Sequence, residues 1–257
     1  MNAWRLILDG PSDGAWNMAV DAAILAARAR DEAPPTLRLY RWSRPTASLG
    51  RFQSESDVDF DAVRAIGAEV VRRPTGGRGV LHDDELTYSV VASVADGLPR
   101  GVVASYRLLS AALAEAYRRL GVPAEITSRT RGSRAAGACY LHATHADLSI
   151  GAAKLSGSAQ VWQGDACLQH GSFVRSRDAD AEARVFRLDA EGAARLRSSA
   201  TTLEDVLGEV PSFEALEEAV VGALEDTLGI ALRRGVLSGA ETAEARSERG
   251  RFEVPLP

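Results

Sequence analysis

The chain has 257 residues, 46% of them hydrophobic, enough to bury one large core or a core with a small appendage. Its formal net charge of -5 argues against a general nucleic-acid surface, and no apolar run approaches a membrane span. Met1 to Asp13 lacks the order of a secretory signal, and Cys139 and Cys167 make no disulfide framework, so a cytoplasmic protein with reduced thiols is expected.

In chain order, residues 4–8 form an apolar strand candidate stopped by Asp9, Gly10 and Pro11. Ser12 or Asp13 then caps a helix over 15–29, whose apolar positions Trp16, Val20, Ala23, Ile24 and Ala27 recur at helical spacing. Residues 37–42 alternate, with Leu37, Leu39 and Arg41 opposed to Arg38, Tyr40 and Trp42, and residues 47–53 start another extended piece. Asp59 caps a short helix to Ile66, closed by Gly67. Residues 68–73 and 86–94 read as strands, the latter with Leu86, Tyr88, Val90, Ala92 and Val94 on one face.

Pro99 and Gly101 open a long helix with a stripe of Tyr106, Leu109, Leu113, Ala116, Tyr117 and Leu120. Residues 127–138 hold three arginines and no large apolar side chain, so an exposed segment is expected. Alternation returns at 146–150. Residues 154–162 and 166–174 then form two strands joined across Gly164-Asp165 as a hairpin. A short helix or ordered loop is expected over 180–196, a brief helix capped by Thr202 and Asp205, and a last convincing helix from Ser212 to Gly229. Residues 230–232 suit an edge strand. Beyond Ser238 a frayed helix and a mobile end are expected, in a single domain with its core at about 4–232 and a weakly ordered tail over 238–257. Antiparallel-looking strands between long helices favour an α+β sheet domain over strict βαβ alternation.

The most informative stretch is RRPTGGRGVLHDDELTYS, residues 72–89, a Gly-rich charged loop between two strands. Its glycines admit positive φ and let backbone N–H groups approach an anion or carbonyl. An ordinary surface turn explains it equally well, but it is neither a P-loop nor a dinucleotide fingerprint, since no Lys-Ser or Lys-Thr pair follows and no helix opens. A second cluster surrounds the thiols. Cys167, flanked by Ala166 and Leu168 in a strand, reads as a small buried hydrophobe. Cys139 follows a small-residue loop behind three arginines, where positive charge favours thiolate; from the residues alone it is as much a plain thiol as a reactive one. His142, His145 and Asp147 fit no common zinc spacing, so no metal is expected.

The 72–89 stretch resembles the central motif of the lipoate/octanoate transferase and lipoate-protein ligase superfamily, and NMAVD at 17–21 resembles that family's early helix. GACYLHATHADLSIGAAKLSGSAQVWQGDACLQHGSF resembles a second block, of the octanoyl-transferring branch that carries a cysteine fifteen residues before a lysine. The resemblance covers roughly residues 4–232. It implies the biotin/lipoate protein ligase catalytic-domain fold, which is class II synthetase-like, with a mixed, largely antiparallel sheet flanked by helices. It matches Cys139 to the acyl-thioester cysteine and Lys154 to the lysine of the ligases. Too few residues follow for the ligases' separate accessory domain, which again favours a transferase.

The implied activity is transfer of octanoyl from octanoyl-acyl-carrier protein, without cofactor or ATP, to a lysine of an apo lipoyl domain such as glycine cleavage H protein or a dehydrogenase E2 subunit. Exchange of one thioester for another costs little, and the final amide is stable. Lys154 either lowers the cysteine pKa and donates to the acyl carbonyl, or acts as a free amine base; a solvent-facing strand lysine is the plain alternative. Gly157, Ser158 and Ala159 leave room for an acyl chain, and Arg73, Gly76, Gly77 and His82 are chosen for the facing wall. Arg73 suits the carrier's phosphopantetheine, a carbonyl, or a salt bridge to Asp83 or Asp84. His82 and His170 read as orienting and supporting residues, and Asn17 and Asp21 as capping and core contacts.

The family's proline and glutamate are here Ala143 and Asp147, which bears on chain length or acceptor preference. The arginines at 129, 131 and 134 suit an acidic partner surface. Three rival readings stand beside this one. An amidotransferase between lipoyl proteins would use the same cysteine and lysine, an ATP-dependent lipoate ligase would not need Cys139, and a binder of acyl groups would modify nothing.

Overall fold

A computed structural model describes residues 2–127 and 147–257. The chain starts with strand β1 (Ala3–Ser12) and helix α1 (Gly14–Ala29), whose cap is Asp13: its carboxylate accepts from the Trp16 N–H at 2.9 Å. Strand β1 outruns its expected stop at Asp9. Its register with β2 (Thr36–Trp42) shifts between Leu8 and Pro11, a bulge that absorbs Asp9 and Gly10, and pairing then resumes at Pro11 and Ser12.

Six strands make the main sheet: β10 (Ser158–Gln163), β11 (Ala166–Val174), β6 (Glu85–Ser93), β2, β1 and β12 (Ala231–Arg234), in that order. Pairs β10–β11, β11–β6 and β6–β2 are antiparallel, whereas β2–β1 and β1–β12 are parallel. The sheet is therefore mixed and largely antiparallel. Every residue of β6 is buried because both faces are covered. Leu86, Tyr88, Val90 and Ala92 face α3 (Val102–Arg119) and α7 (Phe213–Leu228), and Val91 faces α1.

Two small sheets flank the site. Strands β3 (Thr46–Leu49), β4 (Glu69–Arg72) and β5 (Val80–His82) form one, packed on α2 (Phe60–Ala65) and α4 (Ala179–Val185). Strands β7 (Glu125–Ile126), β8 (Leu148–Ile150) and β9 (Ala153–Ser156) form the other. The strands on either side of the Gly-rich loop thus lie in different sheets, and the loop holds a strand of its own, β5, paired with β3. Residues 154–162, expected as one strand, break at Gly157 between β9 and β10. The backbones approach closely here, and a Cβ on Gly171 of β11 would sit 2.5 Å from the Gly157 carbonyl oxygen.

Residues 179–199 form two helices, α4 and α5 (Ala190–Ser199), and Thr202 and Asp205 close a capping box on α6 (Leu203–Leu207). The segment beyond Ser238, expected to fray, is helix α8 (Gly239–Glu248) with its own capping box. Glu241 is buried against Arg5 at 2.5 Å, Ala245 and Phe252 pack on the α1 side, and Val254 enters the small-sheet core. Its charged residues disguise a docked helix because the ion pair to Arg5 joins positions 236 residues apart.

Candidate active site

Between the main sheet and the β3–β4–β5 sheet lies a cavity whose walls combine the two sequence blocks. Arg73, Gly77, Val80 and His82 come from the Gly-rich stretch; Gly157, Ser158, Ala159, His170, Gly171 and Ser172 come from the second. Met18, Tyr40, Trp42, Ser48 and Thr87 complete the lining. Gly76 does not line it, but its carbonyl accepts from Arg73 Nη2 at 2.9 Å. Strand β10 pairs with β11 so that Ser158 lies opposite Gly171 and Ala159 opposite His170, which sets one wall. The loop after β4 supplies the other, held by the Arg73 backbone N–H on the Leu49 carbonyl at 2.9 Å.

Most of the lining side chains carry polar atoms, yet the cavity surface is mainly carbon. The polar atoms are spent within the walls. Glu85, itself buried, is one hub: a single oxygen, Oε1, accepts from Trp42 Nε1 (3.1 Å), Thr87 Oγ1 (2.6 Å) and Ser172 Oγ (2.6 Å), and lies 2.8 Å from His82 Nδ1. Burial raises this carboxyl's pKa, but neighbouring His82 and the hydroxyl donors outweigh it and hold the group below its ordinary range. The His82 ring stacks on Trp42, centroids 4.1 Å apart, and its Nε2 meets Ser48 Oγ at 2.8 Å. Ser48 in turn accepts from Arg73 Nη1, through Oγ at 3.2 Å and the carbonyl at 3.0 Å. Arg73 Nη2 also donates to the Arg78 carbonyl at 2.7 Å, so this guanidinium folds the Gly-rich loop around itself. Asp84, weighed above as a partner for Arg73, pairs instead with Arg175 at 2.6 Å.

Asp21 is the second hub. It accepts from Arg38 Nη1 at 2.9 Å and the Tyr40 hydroxyl at 3.0 Å, and its Oδ2 lies 3.2 Å from His170 Nδ1. Burial opposes its charge, but the His170 hydrogen bond and the Arg38 charge hold its pKa down. Arg38 is fully buried and also donates to Asp9 at 2.7 Å and Asn17 Oδ1 at 2.8 Å. Burial pushes the His170 pKa down despite Asp21. A neutral ring protonated on Nδ1 satisfies both neighbours, donating to Asp21 and accepting from Thr75 Oγ1 at 2.7 Å.

Lys154 on β9 does not line the cavity and does not face solvent: it is 3% exposed, with Nζ 2.8 Å from Asp147 Oδ2. Its carbonyl accepts from the Thr201 N–H at 2.9 Å, and Asp147 is pinned by the Thr127 N–H on its carbonyl at 2.8 Å. Cys139, His142, His145 and the arginines at 129, 131 and 134 lie outside the described residues. Cys167 is buried, and burial alone pushes its thiol up to about 12, so it is no thiolate at neutral pH.

Several of these residues escaped the sequence reading. Ser48 and Trp42 carry no local signal beyond strand alternation, whereas Glu85 and Thr87 stand inside the first quoted block and Gly171 and Ser172 inside the second. Asp147 reads in sequence as a metal-ligand candidate or as the counterpart of the family's glutamate, although its spacing from Lys154 across Gly151 suits a hairpin pair.

Residues 13–225 match the model of the lipoyl protein ligase A/B catalytic domain. The chain belongs to that family. It is 39% identical to the octanoyltransferase LipM of Kyrpidia tusciae, over 98% of this chain and 97% of that one. The octanoyltransferase LipM of Symbiobacterium thermophilum is 41% identical, over 95% and 93% of the two chains. Among solved structures, a lipoate-protein ligase A bound with ATP superposes with a TM-score of 0.81 at 25% identity, covering 98% of this chain and 95% of the other. A bipartite lipoate protein ligase from Thermoplasma acidophilum gives 0.79 at 25%, covering 98% and 93%. The mixed sheet flanked by helices is the lipoate-ligase catalytic fold.

Proposed function

We propose that this member of the lipoyl ligase family is an octanoyltransferase of lipoate biosynthesis, taking octanoyl from a carrier-protein thioester and delivering it to a lipoyl-domain lysine. Likeness to two octanoyltransferases over nearly the whole chain carries the assignment. The cavity agrees with it: a saturated chain needs walls without unpaired donors or acceptors, and the Glu85 and Asp21 hubs supply such walls.

In the first half-reaction the Cys139 thiolate attacks the thioester carbonyl carbon. The carbon–sulfur bond to the carrier breaks, and the carrier leaves as a thiolate that takes up a proton. In the second, the neutral amine of the acceptor lysine attacks the Cys139 thioester, the amide forms, the cysteine sulfur leaves, and the amine's proton is released. Arg73, Gly76, Gly77 and His82 shape one side of the acyl site, and Gly157, Ser158 and Ala159 the other. The Lys154–Asp147 pair supports a charged ammonium rather than a free base, since a carboxylate 2.8 Å away stabilises the protonated amine. An ammonium there favours thiolate and a developing oxyanion.

The test is intact-protein mass spectrometry after incubation with octanoyl-acyl-carrier protein, without ATP, on wild type and Cys139→Ser. A hydroxylamine-labile octanoyl adduct on the wild type alone is expected. Modification of a lipoyl domain only with free octanoate and ATP, and no adduct, would replace the transferase with a ligase.

A further inference from the structure

A second, larger cleft lies beside the acyl cavity, and the octanoyl-transfer reading does not use it. The two share Arg73. Two elements run from one to the other. On α1, Met18 lines the acyl cavity while Ala19, Ala23 and Ala26 line the cleft, with Arg30 just past the helix end. On β10, Ala159 lines the cavity, and Val161, on the same face of the strand, lines the cleft. From Ala19 to Arg30 the helix advances about 16 Å, so the cleft is long as well as wide.

Its chemistry is the reverse of the cavity's. Arg30, Arg51, Arg72 and Arg251 line it beside Arg73, against two carboxylates, Glu244 and Glu248, in a chain of net charge -5. The Arg51 guanidinium carbon lies 5.4 Å from the ring centre of Phe52, which is 88% exposed, and Arg51 makes no ion pair among the described residues. Arg251 reaches Glu248 at 3.2 Å and Arg30 reaches Glu244 at 2.8 Å, both solvent-exposed pairs of the kind an incoming anion displaces at small cost. Trp162 and Val161 give the cleft an apolar wall. An apolar channel that ends among guanidinium groups fits a ligand whose uncharged arm ends in a phosphodiester.

Resting on the transfer reading, we infer that this cleft receives the pantetheine arm of the acyl donor, with Arg51 and Arg251 on its phosphodiester. Carrier protein and coenzyme A share that chemistry. The arm would lie along α1 and β10 and present its thioester beside Arg73, at the mouth of the acyl cavity.

The experiment compares octanoyl-carrier protein, octanoyl-coenzyme A and octanoyl-pantetheine, which lacks the phosphate, as donors to the full-length protein and to Arg51→Ala/Arg251→Ala. Both side chains are exposed, so the double variant keeps its fold. A rise of about tenfold in KM is expected for both phosphate-bearing donors, with a flatter salt dependence, unchanged kcat, and no change for octanoyl-pantetheine. Arg51→Lys/Arg251→Lys should recover part of the loss. Equal KM values in wild type and variant, or equal rises for all three donors, would remove the inference and leave the transferase standing. A rise confined to the carrier protein would place the arginines against the carrier's surface and overturn the arm assignment. No transfer by wild type from any donor would sink the octanoyl-transfer reading and the inference with it.

Discussion

The acyl cavity and the arginine cleft are neighbours with opposite character, though each is lined by a mixture of polar and apolar residues. In the cavity, histidines, serines, an arginine and a tyrosine show carbon, because Glu85 and Asp21 gather the polar atoms of His82, Ser172, Tyr40 and His170 inside the walls and Arg73 donates to Ser48 and loop carbonyls. In the cleft, guanidinium groups stand on the surface with solvent-exposed carboxylates as exchangeable partners. Polarity of a site is thus set by pairing and burial, not by residue type. The energetics differ in the same way: a buried hub cannot lose a member cheaply, whereas a rim arginine can.

The contrast is open to attack from both sides, and the Asp21 hub offers the largest effect. Asp21→Ala leaves Arg38 fully buried without its central partner, so unfolding by denaturant should show a loss of about 3–5 kcal/mol. Arg251→Ala should stay within about 0.5 kcal/mol of wild type, and comparable losses would erase the distinction. Glu85→Ala strands the hydroxyl donors of Thr87 and Ser172 and leaves Trp42 Nε1 only Thr87 Oγ1 as acceptor. A cost of about 3 kcal/mol is expected, with octanoyl transfer falling more than stability predicts as the cavity gains water and unpaired polar groups.

A smaller effect is expected at Gly77, whose φ of 98° suits glycine and whose added Cβ would lie 2.8 Å from Arg73 Nη2. Gly77→Ala should cost about 1–3 kcal/mol in strain and raise the KM for the acyl donor by displacing the guanidinium. The smallest is a pH effect at His170. Its pKa is depressed in the folded chain, so its contribution is full above the unfolded value near 6.5 and declines as pH falls below it, because the unfolded state binds the proton first. Melting temperatures between about pH 7.5 and 5.5 should fall, and His170→Gln should flatten that part of the curve. An unchanged slope would mean that the ring is not held neutral.

Much of the local structure was legible in the chain because its causes are local. Asp13, Asp59, Thr202 and Ser212 cap the helices they precede, and Gly164-Asp165 turns the hairpin between β10 and β11. The blocks carrying Arg73, Gly77 and His82, and Gly157 to Ala159, could be picked out by composition and resemblance before any geometry. What the chain order hid was which segments meet. The alternation of β2 set Arg38 opposite Leu37 and Leu39 but could not say that Arg38 is buried, since its partners are Asp9 and Asp21 on other elements.

The same holds for the tail and for the lysine. Residues 239–248 have a weak apolar pattern and dock through Glu241 on Arg5, a partner from the opposite end of the chain. For Lys154 the sequence leaves a solvent-facing strand lysine open beside the catalytic reading, until the β8–β9 hairpin lays Asp147 against it and buries it. Capping, turn and strand preferences act over a few residues, so the sequence by itself determined the elements and the two motif blocks. Strand order, the break at Gly157 and the two carboxylate hubs were decided only in three dimensions, where the hydrogen bonds of the hubs join residues up to 149 positions apart and fix which polar atoms face the acyl chain.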